Sequence, residues 1–419
     1  MPYFILLSFP FLAHAADGPQ APKVTLYGAV TVNATYNSGT PLTTAEAPAI
    51  AALGSGVHET VNGEQQPVLA TDGSFGVSAR QSRLGADAVM DFGHGWDANA
   101  KIEADFWGLH ENTGPVGAIM PSFRLRHAYL DVGTQSVRLR AGEDWSVLAP
   151  RTPISLSHQV VVLHTLSGML WQRLPQITVE YRHPVSERTK LIAKLSAARN
   201  HSGHGLGGVT RFEQPEPGTR GELPLGQAHL AIVNPLISVG VGGHLGREKF
   251  TITDGQVTEP GSAYGLMIES ELAVVTWAVE ADLKLDLKRA WLSGQFYTGK
   301  NLQGMFSGQG VRTDLWTDVP TEDPRSGKVK SVTALPVTGG WAELGVRPLP
   351  KLDGPMDLKL IASAGMDIGE QELVEFGKVW RSISFFGGVI FTPVKPLDVS
   401  VEYLRSETAY KGDTRYRDA

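Results

Sequence analysis

The chain has 419 residues, of which 42% are hydrophobic and 19% charged, and its formal charge of −6 is spread along it with no acidic or basic block. That balance gives nucleic-acid binding no electrostatic footprint, and after the leader-like N-terminus no run of about 18 or more apolar residues would make a transmembrane helix. The lack of cysteine excludes thiolate metal sites, cysteine catalysis and disulfides, while 47 Gly and 26 Pro favour many turns over long helices.

Residues 1–15 read as a secretory leader. Phe4 to Leu12 form an apolar core and Ala13-His14-Ala15 is a small-x-small cleavage site, although Met1-Pro2-Tyr3 carries no positive charge. The bland alternative is a buried N-terminal strand. Residues 16–419 are then expected to form one domain of alternating segments of roughly ten residues, the pattern of a membrane β-barrel. Val24, Leu26, Val30, Val32 and Ala34 alternate with Thr25, Tyr27, Thr31, Asn33 and Thr35. Leu84, Ala86, Ala88 and Met90 alternate with Arg83, Asp87 and Asp91; Ala100, Ile102, Ala104 and Phe106 alternate with Lys101, Glu103 and Asp105. Val137, Leu139 and Ala141 alternate with Arg138, Arg140 and Asp144, and Leu191, Ala193, Leu195 and Ala197 with Lys190, Lys194 and Ser196. Further strands are expected over 227–235, 237–247, 264–278, 279–298, 333–347, 355–367, 380–393 and 397–410, making about fifteen in a range where complete barrels have even numbers.

The longer polar or Gly/Pro-rich stretches 37–74, 109–121, 199–225, 248–262 and 308–331 are expected to be extracellular loops. The joints Asp91 to Trp96 and Gly133-Thr134-Gln135 are expected to be periplasmic turns. Aromatic residues such as Tyr27, Trp96, Trp145, Tyr181, Trp291 and Tyr403 fall near segment ends, as interfacial girdles or ordinary strand preference would both place them. One face of each segment is apolar and often small; the other carries Arg, Lys, Glu and Asp in mid-strand. A soluble sandwich would pack large residues inside, whereas a barrel in lipid turns its charges to a wet lumen. Segment 146–175 differs from the other connections: its run Val160-Val161-Val162-Leu163 is too apolar for an exposed loop. It is expected to fold inward and narrow the pore.

Several stretches resemble the trimeric DcaP-like outer-membrane porins. They are Val24-Thr25-Leu26-Tyr27-Gly28, Ser82-Arg83-Leu84-Gly85, Lys101 to Gly108, Phe123-Arg124-Leu125-Arg126-His127-Ala128-Tyr129 with Ala141 to Ser146, Gly294 to Gly304, Gly339 to Leu344 and Val401 to Thr408. Each is weak alone, but their shared order spans most of the mature chain. The resemblance implies a sixteen-stranded all-β, up-and-down antiparallel transmembrane barrel, a homotrimer, an inward third loop, and uptake of dicarboxylates and related aromatic acids. Family members end in a strand closed by an aromatic residue. Here Thr414-Arg415-Tyr416-Arg417-Asp418-Ala419 is polar and not strand-like, so the last strand is expected to be missing and the chain a fragment.

Side-chain alternation puts Arg124 and Arg126 on one face of their strand, and Arg138 and Arg140 on one face of the next. Two readings stay open: a basic ladder that guides carboxylates, for which Arg is well suited, or internal ion pairs with Glu103, Asp105, Glu143 and Asp144. Arg83, Lys101, Arg173, Arg182 and Lys194 are weaker lumen candidates, and Arg151 and Arg173 are placed on or beside the inward segment. His201 and His204 form H-x-x-H in a Gly-rich loop, a poor metal site. No nucleophile elbow or Walker loop is present. The expected function is passive diffusion of small, preferably anionic solutes across the outer membrane, with lipid, solute and sister subunits as partners and without cofactor or catalysis. The alternatives are a general or sugar porin, and a plugged structural or adhesive barrel.

Overall fold

The computed structural model describes residues 21–38, 58–61, 64–67, 74–108, 122–202, 216–252, 270–315, 329–348, 356–374, 378–411 and 417–418. The leader expected over 1–15 and the loop expected over 109–121 lie outside them. The described residues form one 16-stranded antiparallel sheet with three small two-stranded ribbons. In chain order the strands are β1 (Lys23–Ala29), β2 (Arg83–Gly93), β3 (Trp96–Asp105), β4 (Arg124–Gly133), β5 (Val137–Trp145), β6 (Arg173–Pro184), β7 (Lys190–Ala198) and β8 (Leu225–Val233). They continue with β9 (Ile237–Ile252), β10 (Ser270–Asp286), β11 (Ala290–Lys300), β12 (Pro336–Val346), β13 (Asp357–Gly369), β14 (Val379–Val394), β15 (Leu397–Tyr410) and the two-residue β16 (Arg417–Asp418). Every strand pairs with the next, a continuous meander. Among the described residues the only helical pieces are Pro217–Arg220 and a 3-10 turn, Gln303–Met305.

Short turns over 94–95, 134–136, 185–189, 234–236, 287–289 and 395–396 join the strands at one end of the sheet, and long connections leave the other. The tightest turn follows from its residues: Gly93, His94 and Gly95 all have positive φ, and the Asp91 carboxylate accepts the Gly93 N–H at 2.7 Å. Two of the ribbons prolong the sheet into the long connections, Asn33–Asn37 with Ser74–Ser78 and Val311–Leu315 with Val329–Ala334.

Several boundaries differ from the sequence reading. Strands expected over 264–278 and 279–298 are instead β10 and β11, because the chain turns at Leu287-Lys288-Arg289, where Lys288 has positive φ, and nothing at 278–279 breaks the alternation. The loop expected to open at 248 starts later, since β9 runs on to Ile252. The polar tail was expected to be free of strand, yet Arg417 and Asp418 pair with Thr408 and Glu407.

The two faces are chemically inverted relative to a soluble protein. Outward positions carry exposed Leu139, Val179, Leu195, Leu230, Val241, Phe296, Leu344 and Val401. Inward positions carry buried Glu103, Arg126, Asp131, Asp144, Gln227, Asp282 and Glu343. This is what hydrocarbon outside and water inside require. The sheet curls until its two ends flank one segment: Ser157 accepts a hydrogen bond from Gln81, just before β2, and donates its N–H to Glu402 on β15. Among the described residues no ladder joins β1 to β15 or β16, and a groove of about 690 Å³ lies between residues 29–38 and 396–406.

Leu195 lies opposite Val179 and Ala228 in the middle of the outer face. Leu195→Arg is expected to weaken folding into lipid vesicles by about 2–4 kcal/mol, read from a denaturant titration, while Lys194→Leu on the inner face costs far less. Equal stability of the two variants would contradict the assignment of faces.

Candidate functional site

Register decides which side chains share the interior. One inward row runs from Arg138 through Glu180, Lys194, His229, Gly242, Glu280, Tyr297, Gly339, Asp367 and Ser382 to Thr408, each opposite the next on the neighbouring strand. The row is largely polar, with glycines opposite its bulkiest members.

The basic residues singled out in the sequence fall into separate ion-paired groups, not one open ladder. In the first, Arg126 donates to Glu103 at 2.6 Å and Asp105 at 2.8 Å, and Arg124 donates to Asp105 at 2.6 Å. Arg83 stands 3.9 Å from Glu103 and donates to Gln159 at 2.6 Å. In the second, Arg138 bonds Asp131 and donates to Asp97 at 2.6 Å. Arg140 donates to Asp131 at 2.7 Å, bonds Asp144, and lies 4.3 Å over the Tyr129 ring. His127 meets the other oxygen of Asp144 at 2.9 Å. Beyond them, Glu180 holds both Arg182 and, at 3.4 Å, Lys194. Lys101 is 3.9 Å from Asp87 and 4.9 Å from the Tyr27 ring centre.

Three sequence expectations change here. Arg126 is only 3% exposed, and its two carboxylate partners make it a structural brace: removing one member of such a buried set strands the others at a cost of about 3–5 kcal/mol. Arg173 packs against the rings of Trp145 and Trp171, so it is sealed in the wall instead of lining open space. Glu143 has the opposite parity to Asp144 and makes no ion pair among the described residues, whereas Asp97 and Asp131, absent from the sequence reading, take that role. Asp97 follows the plain alternation of β3, whereas Asp131 owes its place to a β-bulge. The register between β3 and β4 slips at Glu103/Ala104, leaving Arg126 without an opposing residue. Arg126 and His127 both turn inward, and the parity of the rest of β4 flips, bringing Asp131 inside.

Residues 146–172 cross the interior; Arg173 to Pro175, counted with this segment from sequence, already belong to β6. Polar groups of the wall hold the backbone of its first half. Gln227 accepts from the Val147 N–H, Gln295 donates to the Leu148 carbonyl, Glu343 accepts from the Ile154 N–H, and Glu402 accepts from Leu156 and Ser157. The apolar run lands where the inward face breaks its polar rule: Leu163 packs with Trp291, Ile361, Phe386 and Ile390, and Val162 with Trp171 and Trp341. Burying these side chains is what holds the segment down. A cavity of about 310 Å³ remains between its first residues and β4–β7, lined by four basic side chains (Arg138, Arg140, Arg151, Lys194) and three acidic ones (Asp131, Asp144, Glu180). Of the H-x-x-H pair, His201 lies 3.5 Å from Glu216, and His204 is outside the described residues.

No family model matches the chain, and no curated protein matches it. Solved structures do. The outer-membrane channel DcaP of Acinetobacter baumannii superposes with a TM-score of 0.63 at 16% identity, over 95% of this chain and 94% of that one. The fold is that of outer-membrane porins. An anion-selective porin from Comamonas acidovorans gives a TM-score of 0.53 at 13% identity, over 93% of this chain and 90% of its own. The trimer form of the Vibrio cholerae outer-membrane protein OmpT gives 0.50 at 12% identity, with the same coverage.

Two buried histidines make the inward segment acid-sensitive. His164 sits between the hydroxyls of Ser384 (2.6 Å) and Ser363 (2.8 Å), and burial pushes it down to about 3 from the ordinary 6.5. Burial pushes His158 down to about 4 against the pull of Glu402. Both are neutral when docked, so the undocked segment takes up protons first. Docking is at full strength above about pH 6.5 and weakens as pH falls toward 4 and below, by up to about 1.4 kcal/mol per pH unit for each imidazole. Hydrogen exchange over 156–167, corrected for its intrinsic pH dependence, is expected to rise between pH 7 and 4 in the wild type and to stay flat in a His158→Gln/His164→Gln variant. Equal protection of the wild type at both pH values would refute this.

Proposed function

We propose that this chain is an outer-membrane porin through which small hydrophilic solutes diffuse passively, with anions preferred and dicarboxylates as the fitting solute class. The observation that carries the reading is the inverted sheet with a charged interior, in which the side chains of Arg140 and Lys194 stay about a third exposed (33% and 37%) beside the cavity under segment 146–172. Similarity of fold to a channel and to a porin described as anion-selective supports it. Segment 146–172 is the constriction in this reading.

The basic and acidic linings nearly balance, so the selectivity is shallow. Arg140 has five N–H groups and makes three hydrogen bonds to carboxylates, leaving donors for a passing solute. A site that binds weakly also releases, as conduction requires. No chemical step is involved, and the pore acts as a homotrimer, a reading supported by the trimeric neighbour.

The test is the reversal potential of the reconstituted protein in a planar bilayer under a KCl gradient. The wild type is expected to prefer anions, and an Arg140→Ser/Lys194→Ser variant to lose most of that preference. Unchanged selectivity in the variant would sink the carboxylate reading and leave a general or sugar porin. Folded protein without conductance would sink the pore itself in favour of a plugged structural barrel.

A further inference from the structure

On the inner wall three strands along from Arg138 and Arg140, His229 of β8 meets Glu280 and Asp282 of β10, all three buried. His229 Nε2 is 2.8 Å from Asp282 Oδ2 and 3.5 Å from Glu280 Oε1, and the three atoms lie within 4.8 Å of one another. Each carboxylate has one oxygen held from behind and one turned to the middle. Asp282 Oδ1 is bonded by Arg151, which is itself fixed by Ser238 Oγ at 2.6 Å. Glu280 Oε2 accepts from Gln295 at 3.2 Å. Glu280 Oε1, in a residue only 3% exposed, has no hydrogen-bond partner. An orphaned carboxylate oxygen aimed at an imidazole nitrogen is costly unless something else binds it.

Room for these three side chains to converge is built into the intervening strand. The residues of β9 opposite this cluster are Gly242, between His229 and Glu280, and Gly240, opposite Asp282. A Cβ on Gly242 would lie 2.5 Å from Glu280 Oε1, and one on Gly240 would collide with Asp282 Oδ2 and His229 Nε2. Both glycines have ordinary extended neighbours in a regular ladder, so the space, not a turn, accounts for them.

We propose that His229 Nε2, Glu280 Oε1 and Asp282 Oδ2 form a binding site for a divalent first-row metal ion of the zinc class. One imidazole nitrogen with two carboxylate oxygens is a donor set suited to zinc, cobalt or manganese and too small for calcium. Two carboxylates two residues apart on one strand carry more negative charge than the single guanidinium behind them offsets, which favours a cation between them. Arg151 and Gln295 orient the ligands by holding their outer oxygens, as partners of metal-bound carboxylates do. Arg151 also lines the cavity, so its side chain is what separates the site from the lumen. The site stands independently of whether the pore conducts.

The test is calorimetric titration of the full chain, purified without a polyhistidine tag, with ZnCl₂ at neutral pH, and with CoCl₂ to read the visible absorption of a nitrogen/oxygen site. The wild type is expected to take up one ion per chain. Glu280→Gln, which keeps the size of the side chain, and Gly242→Ala, which keeps every ligand but fills the cradle, are each expected to weaken binding at least tenfold. No uptake by the wild type, or uptake equal in the wild type and both variants, would overturn the proposal.

Discussion

Everything in this structure follows from one constraint: a strand that faces hydrocarbon must have its backbone paired and its outward side chains apolar. The ladder from β1 to β16 supplies the pairing, and exposed Leu139, Val179, Leu195 and Phe296 supply the surface. Period-two alternation then leaves one destination for every charged residue in mid-strand, the interior. A chain with 19% charged residues that would give a soluble protein its solvent coat here builds a charged lining.

Charges confined to an interior must find each other or water. The clusters around Glu103 and Asp105, around Asp131 and Asp144, and around Glu180 show the first outcome; the partly exposed side chains of Arg140 and Lys194 show the second. Segment 146–172 obeys the same logic in reverse. Its apolar run would be misplaced in water, and the inward wall meets it with Trp291, Ile361 and Phe386 where polar residues would otherwise stand. Glu343 and Glu402 then satisfy backbone N–H groups that crossing the interior would leave unmet. The inward segment and the wall are thus one packing problem, and the remaining cavity is set by how far the segment reaches.

Alternation made most of the fold legible. The strands around Val137–Arg140 and Leu191–Ala197, the turn at His94-Gly95 and the odd character of Val160–Leu163 were all readable from residue order. Boundaries were misread where alternation continues through a region with no turn residues, as within β10. The interior was less legible. Which arginine meets which carboxylate depends on register, and one bulged residue, Arg126, flips the parity of the rest of β4 and so brings Asp131 into the lumen. The cluster at His229, Glu280 and Asp282 carries no local motif, since its members come from two strands separated by β9. The glycines at 240 and 242 on the inward face of β9 were its faint trace.

The central claim is the assignment of the two faces, and the absence of cysteine allows a direct test. Single cysteines placed at 139, 140, 194 and 195 in the protein reconstituted in vesicles would be treated with a membrane-impermeant thiol reagent. The account predicts rapid labelling for Arg140→Cys and Lys194→Cys, and none for Leu139→Cys and Leu195→Cys until the lipid is dissolved. Labelling of the leucine positions, with protection of their charged neighbours, would contradict it.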